Sequence, residues 1–205
     1  MSNKITLIGK VGQCPKLSHT LKDQKFYEFE LHVLRKSGNK DKLLILFSDD
    51  KINVDSLKIG QLVEIQGKVR TYNLEKESQP KLKINVLCDK IKLLEEQTVN
   101  LEENNIVKLN GFICKQPIFR TTPANKKITD IILAVNEINR KSSYIPCITW
   151  GELAEKIKNC KVGENIIVEG RLQSRTYTKT LGDQNIERTA YEVSINEYTI
   201  NTKKE

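Results

Sequence analysis

The sequence predicts an all-β chain of two tandem domains, each a small five-stranded barrel with one short helix. Three observations lead to this prediction. Apolar and polar residues alternate over short segments, which is typical of half-buried strands. The whole pattern occurs twice, with a period of about 102–105 residues. Each copy has one segment with helical spacing, placed after its third strand.

The elements of the second copy are the easier ones to assign. Strands are predicted over 107–113, 128–138, 144–150, 165–177 and 188–200, with a helix over 152–158 and a turn over 181–185. Gly111 and Gly170 fall inside strands, where glycine commonly marks a bend of a coiled sheet. The order β-β-β-α-β-β within about 100 residues is that of an OB-fold. A generic β-sandwich is the alternative, and the single helix after the third strand favours the OB-fold.

A duplication accounts for the two copies. The matched pairs are Gly9 with Gly111, Pro15 with Pro117, 29–33 with 131–135, 44–47 with 147–150, 58–60 with 161–163, 67–69 with 170–172, and 70–72 with 175–177 after a two-residue insertion. A period this long indicates two domains and not a solenoid. We therefore predict a first domain over 1–95, a polar acidic linker over 96–105 and a second domain over 106–201.

The composition favours a polyanionic partner. The chain carries 34 Lys and Arg against 26 Asp and Glu, a net charge of +8 at pH 7. Both halves share this excess, which therefore belongs to folded surface and not to a basic tail. No apolar run reaches the roughly 18 residues of a membrane span, and the N-terminus has no signal-peptide pattern. We expect a cytoplasmic protein.

Motifs for catalysis, metals or cofactors are not found in the sequence. The five cysteines contain no Cys-x-x-Cys pair and are expected to be small buried residues in a reducing compartment. Phosphate loops, nucleophile elbows and zinc-protease motifs are missing too. The sequence predicts neither an enzyme nor a cofactor nor a metal site.

Three aromatic residues of the second copy are the candidate base-stacking groups. Tyr144 and the only Trp of the chain, Trp150, lie six residues apart on one predicted strand and hence on one face. Tyr177 lies near the far end of the next strand. Stacking on a nucleobase contributes about 1–3 kcal/mol and tolerates any base. The alternative for these rings is packing in the core.

Basic residues on the neighbouring strands are the candidate phosphate contacts. In the second copy they are Arg171, Arg175, Lys179 and Arg188, and the alternative for them is a solvated outer face. In the first copy the sequence matches give Phe47, Lys68, Arg70 and Tyr72 as the equivalent binding residues. Asp41 matches Tyr144 and can neither stack nor attract phosphate. The first copy is therefore expected to be the weaker binding surface.

These motifs resemble the bacterial single-stranded DNA-binding protein family. The segments that carry the resemblance are 110–112 with Pro117, 133–136, Trp-Gly-Glu-Leu-Ala-Glu at 150–155, Lys-Val-Gly at 161–163 and 168–177. The resemblance covers about 106–200 well and 4–94 only faintly. It implies OB-folds, and it places Tyr144, Trp150 and Tyr177 where that family stacks bases.

The resemblance also implies an assembly. The family usually has one OB-fold per chain and works as a tetramer, so two copies here imply a homodimer with four OB-folds. The family's usual acidic, Gly-rich tail has no counterpart in a sequence that finishes with Lys203, Lys204 and Glu205. The recruitment of replication and repair enzymes by such a tail is therefore not carried over.

The leading functional hypothesis is non-enzymatic, largely sequence-independent binding of single-stranded DNA in replication, recombination or repair. One alternative is a primosome-type or mobile-element accessory factor that uses its first OB-fold to dock a protein, as Asp41 suggests. Another is an RNA-binding OB module. Neither a membrane nor a small-molecule substrate is expected as a partner.

Overall fold

Alternation of buried and exposed residues folds most of the chain into strands of one continuous sheet. The computed structural model describes residues 3–74, 81–95, 100, 103–137, 141–181 and 184–201, without the side chains of 73, 74, 81, 179–181, 184 and 186. Within these residues, no helix is long and apolar enough to cross a membrane.

The first barrel is a ring of five strands. The first copy has six strands, five of which form the ring: β1 (Asn3–Val11), β2 (Lys16–Leu21), β3 (Gln24–Leu34), β4 (Lys40–Ser48), β5 (Leu62–Leu74) and β6 (Lys81–Leu93). Strand β1 pairs with β3 and with β5, β3 pairs with β4, and β5 pairs with β6. A short parallel pairing of β4 with β6 closes the ring. Strand β2 pairs only with β3 and lies outside the ring.

The second barrel repeats this plan. Its elements are β7 (Asn105–Ile113), β8 (Ile118–Thr121), β9 (Lys127–Asn136), β10 (Ser142–Trp150), α1 (Gly151–Ile157), β11 (Asn165–Leu181) and β12 (Gln184–Ile200). The ring runs β7-β11-β12-β10-β9 and closes by the pairing of β7 with β9. The predicted fold class, two tandem five-stranded OB-folds, is confirmed. Each copy also has a short edge strand, β2 or β8, that the sequence analysis did not assign.

Helix α1 has no full counterpart in the first copy. There the structure has a single 3-10 turn, Val54–Ser56, and the prediction of a short helix in each repeat is correct only for the second copy. The reason lies in the sequence, because the segment equivalent to α1, 49–55, contains three Asp and two β-branched residues. The Asn53 side chain accepts a hydrogen bond from the Asp55 N–H, which favours a turn over a longer helix.

Each barrel bends at a bulge in its long fourth ring strand. The register shifts between Gln66 and Gly67 in β5 and between Glu169 and Gly170 in β11. A Cβ atom on Gly170 would collide with the carbonyl oxygen of Ser194 on β12. Glycine is therefore required where the two strands of the second barrel approach most closely.

The two barrels are joined by the antiparallel pairing of β1 with β7. An asparagine reinforces each side of this junction. Asn3 exchanges two hydrogen bonds with the backbone of Val69 (2.8 and 2.9 Å), and Asn105 does the same with Leu172 (2.7 and 3.0 Å). These equivalent contacts relate the copies by an approximate two-fold axis. Of the predicted linker, Asn104 and Asn105 are buried, and Asn105 begins β7.

The interiors of both barrels are filled by the apolar residues of the alternating pattern. Phe29, Leu31 and Val33 are buried in the first barrel, and Ile131, Leu133 and Val135 take the same places in the second. The cysteines at positions 88, 147 and 160 are buried among them. Burial raises the pKa of the Cys88 thiol to about 12.

Candidate nucleic-acid interface

The outer face of β10 presents two of the three predicted stacking residues. Ile145 and Cys147 point into the barrel, whereas Tyr144 is 51% exposed and Trp150 is 42% exposed. Trp150 ends the strand, and Gly151 follows with φ +59°, a left-handed conformation that a residue with a side chain rarely adopts. This turn from strand into α1 leaves the indole ring of Trp150 at the surface.

Trp150 and Arg171 lie in one groove. Arg171 on β11 is opposite Ser194 on β12, and Ser194 is in turn beside Ile148 on β10, two residues before Trp150. The groove has a volume of about 600 Å³. We call it the Trp150 groove, and its lining includes Arg35, Lys36, Lys126, Trp150, Arg171 and Asn196. It extends from the second OB-fold to the end of β3 in the first.

The hairpin of β11 and β12 brings together three further predicted residues. Tyr177 is 39% exposed, and the guanidinium carbon of Arg175 lies 5.9 Å from the centre of its ring, a cation–π contact. Arg188 is directly opposite Tyr177 on β12. The hairpin therefore offers an aromatic face flanked by two guanidinium groups. The side chain of Lys179 lies outside the described residues.

The register of the strands corrects the sequence matches between the copies. Val33 pairs with Asp41 in the first barrel, and Val135 pairs with Ser143 in the second. Asp41 is therefore equivalent to Ser143, and the sequence match over 44–47 was one residue out of register. The same offset makes Lys42 the counterpart of Tyr144 and Ser48 the counterpart of Trp150. A slip of one residue exchanges the two faces of a strand.

Phe47 is therefore wrong as a binding residue. It is fully buried and packs edge-on against Phe29 with ring centres 5.8 Å apart. Its strand position points into the barrel, as does that of its true counterpart Thr149. A ring in this position belongs to the hydrophobic core and offers no face to a base.

The matched Arg-Thr-Tyr motifs are not equivalent in space either. From the bulges onward, β5 and β11 pair with β6 and β12 without a further shift in register. Tyr72 is therefore the counterpart of Arg175, and the two-residue insertion inferred from the sequence does not exist. Tyr72 is nevertheless 38% exposed. Burial of the rest of its ring, together with Glu28, raises the pKa of its hydroxyl.

The predicted cations of the first copy are paired with carboxylates. Lys68 lies 3.8 Å from Asp89, and Arg70 forms an ion pair with Glu137 of the second barrel. These residues line a second groove of about 890 Å³, which we call the Arg70 groove and which includes Lys4, Lys68, Arg70, Asp89, Lys90 and Glu137.

Asp41 has a structural role that was not predicted from the sequence. It is buried, forms an ion pair with Arg35 and accepts a hydrogen bond from the Ser174 N–H across the domain boundary (2.7 Å). Arg35 also donates to the carbonyl oxygen of Ser174 (3.0 Å). We call Arg35, Asp41 and Ser174 the Asp41 clasp. The sequence pattern around Asp41 predicts an exposed charged residue on a strand, so it does not indicate this buried contact.

The described residues offer no groups for metal chemistry. Within them, no three His, Cys, Asp or Glu side chains lie close enough to hold a metal ion. The site consists instead of exposed aromatic rings and guanidinium or ammonium groups. Such an arrangement can stack flat rings and attract anions.

Comparison with known proteins finds a family match over the second OB-fold and more distant relatives over most of the chain. The model of the family described as "Single-strand binding protein family" matches residues 104–201. A single-stranded DNA-binding protein of Thermus aquaticus is 27% identical over 146 residues, and the match spans 63% of this chain and only 55% of that protein. One from Thermus thermophilus is 22% identical over 207 residues, or 89% of this chain and 79% of that protein.

A solved structure has the same arrangement of two barrels. The crystal structure of the wild-type single-stranded DNA binding protein from Thermus aquaticus superposes with a TM-score of 0.78 at 23% identity, over 98% of this chain and 93% of that one. The agreement in fold extends over both copies, including the first, where the sequence resemblance is faint. Residues 104–201 therefore match the single-stranded DNA-binding protein family, and the chain as a whole has the fold of two joined OB-folds seen in the Thermus aquaticus structure.

Proposed function

We propose that this chain binds single-stranded DNA largely without sequence preference and catalyses no reaction. The observation that carries the proposal is the exposure of Tyr144, Trp150 and Tyr177 on the second OB-fold, each between 39% and 51%. Large aromatic rings are commonly buried, whereas these are exposed on strands β10 and β11, and β11 and β12 also carry Arg171, Arg175 and Arg188. The names of the relatives support the same function.

Base stacking and charge neutralisation make separate contributions to the affinity for single-stranded DNA. Each ring that stacks on a base contributes about 1–3 kcal/mol irrespective of the base. Each phosphate neutralised by a cation releases counterions. In a plot of the logarithm of the binding constant against the logarithm of the salt concentration, each such contact on a single strand therefore contributes about −0.7 to the slope. Binding is therefore weakly dependent on sequence and strongly dependent on salt.

The first OB-fold is proposed to contact the phosphate backbone more than the bases. At the positions of Tyr144 and Trp150 it carries Lys42 and Ser48, neither of which stacks. Tyr72 remains as its exposed aromatic residue. The alternative, a first OB-fold that docks another protein, relied on Asp41, and the burial of Asp41 in the clasp removes that reason.

Fluorescence anisotropy with a labelled oligo-dT tests the proposal. The chain should bind oligo-dT at low salt, with an affinity that falls as salt rises, and should bind duplex DNA of equal length far more weakly. Oligo-U of equal length is the comparison for an RNA-binding function. Tighter binding of oligo-U than of oligo-dT would favour that second class, and no binding of either would overturn the proposal.

The assembly proposed for the chain is a homodimer with four OB-folds, acting in the cytoplasm in replication, recombination or repair and with replication proteins as possible partners. Its support is the pair of OB-folds in one chain of a family that works with four. Light scattering should give a mass of twice the 23.5 kDa chain, with and without a long oligo-dT. A mass equal to one chain at micromolar concentration would contradict it.

A further inference from the structure

Two grooves lie at equivalent places beside the junction of the OB-folds. The pairing of the strands relates Arg171 in the Trp150 groove to Lys68 in the Arg70 groove, because each directly follows the bulge glycine of its strand. By the same register Asn196 corresponds to Asp89. Arg35 corresponds to Glu137, since each follows the third ring strand of its copy and closes the same turn with its N–H. The approximate two-fold axis thus provides an internal comparison of two related surfaces.

The two grooves differ in how their cations are compensated. In the Arg70 groove, Lys68 and Arg70 are paired with Asp89 and Glu137. In the Trp150 groove the acidic lining residue is Asp41, which is already bonded to Arg35 and to the Ser174 N–H. At the positions of the carboxylates Asp89 and Glu137, the Trp150 groove has Asn196 and Arg35. The Trp150 groove is therefore the more positive of the two for its size.

Arg171 of this groove has no bonded carboxylate in the described part of the chain, and the nearby charge of Asp41 offsets only part of the effect of burial and of Arg35 on its pKa. Among the described residues it makes no hydrogen bond or ion pair, although it is half-buried. Burial, with the nearby charge of Arg35, lowers its pKa from the usual range of a guanidinium. A guanidinium in this position favours a bound anion, and phosphate matches the geometry of its N–H groups.

The Trp150 groove also joins the two domains. Arg171 and Trp150 belong to the second OB-fold, whereas Arg35 and Lys36 follow β3 of the first. The same groove therefore presents an aromatic ring, a guanidinium that makes no hydrogen bond or ion pair with a described residue, and cations of the neighbouring domain. The described lining of the Arg70 groove contains no aromatic residue.

We propose that single-stranded DNA crosses between the two OB-folds through the Trp150 groove. A base stacks on Trp150, and the phosphates that follow lie between Arg171 of the second OB-fold and Arg35 and Lys36 of the first. The Arg70 groove, in which Lys68 and Arg70 are ion-paired and the described lining has no aromatic residue, lies off this path. This inference rests on the proposed function and adds the route that the strand takes.

Arg171→Ala and Lys36→Ala test the route, with Lys68→Ala as the matched control in the other groove. Arg35 is left intact because it holds the Asp41 clasp. Binding is measured by anisotropy with an oligo-dT of about 35 nucleotides, long enough for two OB-folds at about 4–16 nucleotides each. We expect Arg171→Ala to weaken binding about tenfold and Lys36→Ala about threefold, whereas Lys68→Ala changes it less than twofold. Each of the first two also lowers the salt slope by about 0.7.

The outcomes separate the route from the function. Thermal melting of Arg171→Ala should match the wild type, since Arg171 makes no hydrogen bond with a described residue, and the melting of the other two variants shows whether each is folded under the conditions of the binding assay. If wild-type protein binds oligo-dT and the three variants weaken it equally, the route is wrong and the proposed function stands. If wild-type protein does not bind oligo-dT, the function itself fails. If Lys36→Ala weakens binding on its own and the double variant of Arg171 and Lys36 loses less than the product of the two single effects, both side chains act on the same part of the strand, which supports the route. A Lys36→Ala protein that binds as tightly as wild type would contradict the route.

Discussion

The backbone N–H of Ser174 in the second OB-fold donates a 2.7 Å hydrogen bond to the buried carboxylate of Asp41 in the first. The equivalent contact on the other side of the approximate two-fold axis runs from the Thr71 N–H to the Ser143 hydroxyl, at 3.3 Å. A charged, ion-paired acceptor thus stands on one side of the junction and a neutral one on the other. The hydrogen bond on the Asp41 side of the junction between the OB-folds is therefore expected to be the stronger of the two.

Asp41→Ala should destabilise the protein more than Ser143→Ala does. Removal of Asp41 leaves Arg35 without its partner and the Ser174 N–H without an acceptor, which costs about 3 kcal/mol. Loss of the Ser143 hydroxyl, which also donates to the Glu137 carboxylate (2.6 Å), costs about 2 kcal/mol. Urea denaturation of both variants measures the difference. Equal losses of unfolding free energy would show that the Asp41 clasp adds no stability beyond that of a neutral hydrogen bond.

Phe47→Ala is expected to act on stability and not on DNA contact. A buried phenylalanine truncated to alanine loses about 3–5 kcal/mol of unfolding free energy. Phe47→Leu, which keeps most of the volume, should fold and bind oligo-dT with unchanged affinity. A large loss of affinity in a well-folded Phe47→Leu protein would restore Phe47 to the binding surface.

Tyr144 and its spatial counterpart Lys42 form a matched pair of substitutions. Tyr144→Ala should weaken oligo-dT binding by about 1–3 kcal/mol because a stacking face is lost, with the salt slope unchanged. Lys42→Ala should instead lower the salt slope by at most about 0.7, with a smaller loss of affinity. Titrations at several salt concentrations distinguish the two effects. The assignment fails if Tyr144→Ala changes the slope and Lys42→Ala changes only the affinity.

Alkaline conditions should weaken the fold through its buried thiols. Burial raises the pKa of Cys88 to about 12 and that of Cys147 as well, from an ordinary value of 9.0. The unfolded chain therefore loses these protons at lower pH than the folded one does. This contribution to stability is complete below pH 9 and is lost as pH rises towards 12.

Denaturation midpoints between pH 8 and pH 11 measure that loss. In Cys88→Ala the decline with pH should be shallower than in wild-type protein, although the variant is less stable throughout because of its cavity. An exposed substitution, Cys14→Ala, should leave the slope unchanged. Identical slopes in all three proteins would rule out Cys88 as a source of the pH dependence.

The sequence predicted the architecture well because strand alternation and duplication are both visible in one chain. The strand over 144–150 and the helix over 152–158 lie within two residues of β10 and α1. The sequence could not give the register between the copies. The apolar segments 44–47 and 147–150 can be aligned with an error of one residue, and that error placed Phe47 on the wrong face of its strand.

The candidate site was predicted in part for a similar reason. Tyr144, Trp150 and Tyr177 are exposed, as base-stacking residues must be, but their part in binding stays a prediction. Arg35 and Asp41 were missed because their contacts join residues more than 130 positions apart. The domain bounds 1–95 and 106–201 also stay predictions.

The intrinsic fluorescence of Trp150, the only tryptophan of the chain, tests the central claim most directly. Titration with unlabelled oligo-dT at low salt should quench this fluorescence in a saturable manner, because a base stacks on the exposed indole. High salt should reverse the quenching. Binding seen by anisotropy without any change in Trp150 fluorescence would contradict the account, because the strand would then pass elsewhere on the protein.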